Sequence, residues 1–178
     1  MCDFKKSLMP PRVARESGFT LAELVIVMVV LGILSVAAAI NVRGRTQQSV
    51  TVRADELRRT LSHLQWLALS GNQRLRLSLK SGGSGYAAYV CTSAACTTTT
   101  ALTDPMTGSP VDVSLSSDGV TIAVSPNDDL DFDGLGRPAL SGSLLTASSP
   151  ARTYTLSGGG RSVTVTVQPL TGFAKANY

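Results

Sequence analysis

The run from Gly18 to Ile40, GFTLAELVIVMVVLGILSVAAAI, most constrains what this 178-residue chain can become. After Phe19 its only polar side chains are Thr20, Glu23 and Ser35. A helix through it rises about 1.5 Å per residue and measures roughly 33 Å. A bilayer hydrocarbon core is about 30 Å thick, so the run predicts a membrane-spanning helix. Glu23 is the oddity. An unpaired carboxylate there costs on the order of 2.5–3.5 kcal/mol by insertion scales, less near the interface, so it calls for a partner. Three plainer readings compete. A simple anchor has no use for Glu23, and a buried core helix is rarely apolar on every face for so long. An ordinary cleavable signal peptide would use Lys5, Lys6, Arg12 and Arg15 as its basic region and Ala37-Ala38-Ala39 as its cleavage site. Against it, the apolar run exceeds the usual stretch of roughly 7–15 residues and carries an acid.

Gly18-Phe19-Thr20-Leu21-Ala22-Glu23, followed by a long apolar helix, resembles the type IV prepilin signature. The resemblance implies a membrane prepilin peptidase that cuts between Gly18 and Phe19 and methylates the new Phe19 amine. Glu23 then becomes the fifth residue of the mature chain. Its implied partner is the Phe19 amine of a neighbouring subunit in a growing filament. Opposite charges close together at low dielectric offset much of the desolvation cost. The resemblance also sets the topology: leader in the cytoplasm, a single pass through the bacterial inner membrane surrounded by lipid, head in the periplasm, then a pilus or pseudopilus. Charge counting alone does not fix orientation, because Arg43, Arg45 and Arg53 rival the four leader cations.

Net charge is +4, unevenly distributed. Residues 41–80 carry eight Lys/Arg against two acids, and residues 81–178 carry four against seven. A basic stalk and a mildly acidic head follow, the stalk reading as a solvated helix face near lipid headgroups. Of three cysteines, Cys2 lies in the leader, leaving Cys91 and Cys96. Their C-x4-C spacing suits a disulfide, whose Cα atoms stand roughly 5.5–6 Å apart. An oxidising periplasm would preserve it. Two cysteines and a distant His63 do not make a zinc spacing.

The expected organisation is a leader over 1–18, a membrane and filament-core helix over 19–40, an amphipathic continuation over 41–71 and a β-rich head over 72–178. Val50, Ala54, Leu57, Leu61, Leu64 and Ala68 recur at spacings of three and four, one apolar stripe. Gly44 is a weak point where the rod can bend, and Gly71-Asn72 supplies a stop. His63, the lone histidine, reads as a surface or packing residue. From Arg74 the period becomes two: Leu75, Leu77 and Leu79 alternate with polar residues. The turn at residues 81–85 joins this strand to Tyr86–Cys91 as a hairpin, and it lacks the lysine and helix of a phosphate loop. Residues 92–103 read as a polar surface loop. Val111–Leu115 and Val120–Val124 read as a second hairpin across Ser-Ser-Asp-Gly, and 153–156 with 162–168 as a third across Gly158-Gly159-Gly160. A long N-terminal helix followed by strands predicts an α+β, pilin-like class: the helix, half anchor and half amphipathic, packed on an antiparallel sheet.

Asp129, Asp131, Asp133 and Gly134 match the front of a calcium loop. An EF-hand needs Glu six residues past that glycine, where Leu140 stands. The plainer reading is a strand burying Leu130 and Phe132 while its aspartates face water, with calcium as the alternative. No cofactor is expected. A lone histidine without a nucleophile, and no Gly-x-Ser-x-Gly elbow, point away from an enzyme.

Phe132-Asp133-Gly134-Leu135-Gly136-Arg137-Pro138 and Pro169-Leu170-Thr171-Gly172-Phe173 resemble the GspH/FimT group of minor pilins and pseudopilins. Leu102-Thr103-Asp104-Pro105-Met106-Thr107-Gly108 is similar to minor pilins of the mannose-sensitive haemagglutinin type. The group's implied role is to prime or cap a filament among other pilin or pseudopilin subunits, in a type IV pilus or a type II secretion pseudopilus. Some FimT-like members bind DNA through a C-terminal Gly-Arg-x-Arg. Here Gly172-Phe173-Ala174-Lys175 offers one cation, a poor footprint for nucleic acid. The proline that many relatives carry near the end of the apolar run is also missing. A DNA-uptake subunit and a secreted binding module are the alternative functions.

Overall fold

A computed structural model describes residues 20–178 except 94, 127–128 and 141–142, with the backbone alone over 36–45. Helix α1 runs Leu21–Gly71, continuous in its backbone through Gly44, so the expected weak point does not break it. It stops where Asn72 turns left-handed at φ 47°. Two compact units divide the chain, Met1–Ala39 and Ile40–Tyr178.

In the second unit the predicted stripe is the core face of the helix. Val50, Ala54, Leu57, Leu61, Leu64 and Ala68 are each no more than 1% exposed. They pack in one cluster with residues from two antiparallel sheets rather than one. Strands β1 (Leu75–Leu79) and β2 (Gly85–Cys91) form the predicted hairpin, Leu75 opposite Val90 and Leu77 opposite Ala88. Beyond β1 the first sheet continues through β6 (Leu130–Phe132), β7 (Pro138–Leu140) and β8 (Ser143–Leu144). On the far side of β2 lie two short strands, β3 (Thr99–Ala101) and β4 (Asp112–Ser114). The second sheet runs β11 (Ala174–Asn177), β10 (Arg161–Val167), β9 (Arg152–Gly158), β5 (Thr121–Ser125). The β9–β10 hairpin turns at Gly159 and Gly160, as the glycine run predicts.

Two sequence expectations are corrected. Residues 92–103 are not loop throughout, since 99–101 return as β3 against β2. Val111–Leu115 and Val120–Val124 are not a hairpin: β4 pairs with β2 in the first sheet and β5 with β9 in the second. Leu115 and Val120 are both fully buried, and the tight turn between them ends at left-handed Gly119. The chain crosses between sheets there because both flanks bury apolar side chains in one core, and each strand finds its ladder elsewhere.

Candidate assembly site

Helix α1 begins on a cap. Thr20 Oγ1 accepts the Glu23 backbone N–H at 3.2 Å, satisfying one of the donors a helix start leaves open. Thr-x-x-Glu is the capping-box pattern, and an acid in the first turn faces the positive end of the helix dipole. The Glu23 side chain is exposed. Around it the described part of this unit hides no apolar surface. Leu21, Leu24, Ile26, Met28, Leu31 and Ile33 are 53–82% exposed, and the valines between them nearly as much. Ser35, the other polar residue, gives its hydroxyl proton to the Leu31 carbonyl at 2.7 Å, which leaves the segment apolar toward its surroundings. Soluble monomers rarely leave so large a contiguous apolar surface uncovered, so this one needs lipid or protein around it.

Gly18 and Phe19 lie outside the described residues, as do the side chains of Ala37-Ala38-Ala39. Among the described residues no helix is long and apolar enough to cross a membrane.

Cys91 and Cys96 are joined by a disulfide with Cα atoms 4.8 Å apart, and Cys96 is buried. The aspartates at 129, 131 and 133 are drawn to separate partners rather than to one ion. Asp131 is fully buried, not facing water as expected. Arg76 donates to it twice, Nε to Oδ1 at 2.6 Å and Nη2 to Oδ2 at 3.0 Å. Asp129 accepts from the Ser78 hydroxyl and lies 3.5 Å from Arg76 Nη1. Asp133 holds the β6–β7 turn, accepting the backbone N–H of Leu135 at 3.0 Å and of Arg137 at 2.8 Å, and the Arg137 guanidinium besides. Burial pushes the Asp133 carboxyl up, but these bonds outweigh it and hold the group below its ordinary range. Among the described residues one trio of ligand-type groups is close enough to share a metal: Cys91, Cys96 and Asp131, within 4.8 Å. Its sulfurs are bonded to each other, so no thiolate is available.

The sequence hid Arg76 as a structural residue, since between Leu75 and Leu77 it reads as solvent-facing. It also hid Gln65, whose amide donates to the Gly136 carbonyl at 2.8 Å and the Thr171 carbonyl at 2.6 Å. Gly136 belongs there: its φ is 69°, and a Cβ would stand 2.7 Å from Leu69. Arg152 is buried as well, donating to the Pro126 carbonyl at 2.5 Å with its guanidinium 5.6 Å from the Tyr154 ring. No local pattern marks any of the three, because each depends on which distant strands become neighbours.

The prokaryotic N-terminal methylation motif matches residues 13–39. No curated protein matches the chain. Two structures of the minor pseudopilin EpsH from the type 2 secretion system of Vibrio cholerae are similar to it in fold. One aligns over 72% of this chain and 96% of its own at 14% identity, the other over 73% and 94% at 13%, each with a TM-score of 0.54. The type IV minor pilin FimU of Pseudomonas aeruginosa aligns over 74% of this chain and 90% of its own at 12% identity, TM-score 0.47.

Proposed function

We propose, for a chain that is type IV pilin-like in both motif and fold, the role of a minor pilin or pseudopilin subunit. One observation carries the reading: helix α1 begins on a capped acid, and over residues 21–35 it exposes apolar side chains on every face. Such a surface is stable in lipid before assembly and against sister helices after it. The helix waits in the inner membrane as a single pass with the head in the periplasm, after a prepilin peptidase has cut at Gly18 and methylated Phe19. Glu23 sets the register by meeting the Phe19 amine of the next subunit. Van der Waals packing supplies the cohesion, because two apolar helices in lipid gain nothing from the hydrophobic effect itself. The subunit primes or caps its filament, and its role is structural rather than catalytic.

The test separates processing from assembly. Glu23→Ala is expected to be cleaved and methylated as the parent is, while its share in sheared filaments or pseudopili falls by about tenfold, a loss equivalent to roughly 1.4 kcal/mol. Gly18→Val is expected to accumulate uncut, since a branched side chain obstructs the peptidase. Mass spectrometry of the amino terminus reads both. A methyl-Phe19 terminus supports the proposal, and a terminus at Ile40 or Asn41 identifies an ordinary signal peptide instead. Undiminished incorporation of Glu23→Ala would remove the register role.

A further inference from the structure

Three groups of the kind that ligate metals meet on the outer face of the first sheet. Along β2, Tyr86, Ala88 and Val90 turn toward the core, so by strand alternation Cys91 falls on the opposite face with Tyr89. Arg76 of β1 stands opposite Tyr89 on one side and Asp131 of β6 on the other, which brings the Asp131 carboxylate to that same face. Cys96 returns to it through a turn held by its own hydrogen bonds. Cys96 N–H donates to the Ser93 carbonyl at 3.0 Å, Thr92 N–H to the Thr98 carbonyl at 2.9 Å, and Ser93 Oγ accepts the Thr97 N–H at 2.9 Å. The two sulfurs and a carboxylate oxygen of Asp131 thus lie within 4.8 Å of one another. None of the turn's bonds involves sulfur, so opening the S–S bond leaves the three groups together.

Charge and ligand softness decide what such a cluster takes. With the disulfide closed, Asp131 and Arg76 cancel. Opening it and ionising both thiols adds two negative charges where Asp131 is fully buried and Cys96 is 2% exposed. A divalent cation restores neutrality, whereas a monovalent one leaves a buried excess charge, which is costly. Thiolates are soft ligands and select thiophilic ions such as Zn²⁺ over Mg²⁺ or Ca²⁺. The Cys-x4-Cys spacing lies within the range that zinc uses. Tetrahedral zinc with Zn–S of about 2.3 Å and Zn–O of about 2.0–2.2 Å sets its ligand atoms roughly 3.6–3.8 Å apart, a shift of about 1 Å from the widest spacing here. Asp131 can bind it without releasing Arg76, because each carboxylate oxygen has more than one lone pair. Arg76 then orients the ligand from behind, as hydrogen bonds to metal-bound carboxylates do.

We propose that, with the disulfide reduced, Cys91, Cys96 and Asp131 hold one thiophilic divalent cation of the zinc class, with water in the fourth position. Disulfide and metal are alternative closures of the same loop. A trialkylphosphine supplies the electrons. Phosphorus attacks one sulfur, the other leaves as a thiolate and takes a proton, and water turns the phosphorus adduct into phosphine oxide and the second thiol. Metal binding then releases both thiol protons. The inference needs only this cluster and stands apart from the filament role.

The test uses the full chain in detergent micelles, unassembled, with Cys2→Ser throughout so that the leader thiol does not compete. After anaerobic reduction and removal of the phosphine, Co²⁺ is titrated in and then displaced by Zn²⁺. The reduced chain is expected to develop the visible bands of four-coordinate cobalt and a thiolate charge-transfer band, both saturating at one equivalent, and the unreduced chain to show neither. Asp131→Asn keeps the side chain's shape and should weaken the metal by at least about tenfold, while Asp129→Asn should bind as the parent does. Zinc-edge X-ray absorption reads the same point with Asp131 intact: sulfur from both cysteines at about 2.3 Å and oxygen at about 2.0–2.2 Å. Absence of cobalt bands after reduction, equal binding before it, a zinc shell without sulfur, or full affinity in Asp131→Asn would each overturn the proposal.

Discussion

Asp131 and Arg76 stand directly opposite each other on β6 and β1, on the face turned away from the core leucines. Residue alternation alone assigns that face to water. Yet Asp131 is fully buried and the Arg76 side chain is 16% exposed, with the disulfide against the carboxylate. Such a pair adds little over apolar residues of equal volume, but removing one member strands the other charge. Asp131→Ala is therefore expected to destabilise the head by about 3–5 kcal/mol, at the lower end because Asp129 remains 3.5 Å from Arg76. Arg76→Leu combined with Asp131→Leu should recover most of that loss. Urea unfolding of both variants checks it. Additive losses in the double variant would show that the pair is not coupled.

For helix α1 the chemistry is local, and the sequence was legible. Spacings of three and four placed Val50 through Ala68 on one face, and that face is buried. Leu57→Ala is expected to cost 2–5 kcal/mol. Val52→Ala, at a position 57% exposed, should stay within about 0.5 kcal/mol. Equal midpoints for the two in a denaturant titration would contradict the packing. The β1–β2 and β9–β10 hairpins were legible for the same reason, each pairing neighbours across a glycine turn. The 111–124 segment was not. Its two apolar runs look like partners, but β2 and β9 compete for them from opposite sides of the core, and only the assembled fold decides that contest. At the candidate site the Cys91/Cys96 pairing could be read from spacing, whereas the Thr20 cap on Glu23 went unread and the fate of the three aspartates hung on the register between β1 and β6.

At the scale of the whole molecule, each sheet sinks one tyrosine into the shared core, Tyr86 from β2 and Tyr154 from β9. Burial pushes both phenols from 10 up to about 12. A raised pKa means that the folded state keeps a proton the unfolded chain releases. The stabilisation is whole below pH 10 and drains away as pH climbs toward 12, at about 1.4 kcal/mol per unit of displacement for each phenol. Thermal melts between pH 9 and about pH 12 should show a steep decline that Tyr86→Phe and Tyr154→Phe each make shallower. A flat profile would mean the phenols ionise without disturbing the fold. The amide of Gln65 reaches a turn of each sheet, at Gly136 and at Thr171. One side chain thus serves both as a common latch, and a nudge to the helix at that point is passed to two remote stretches of chain at once.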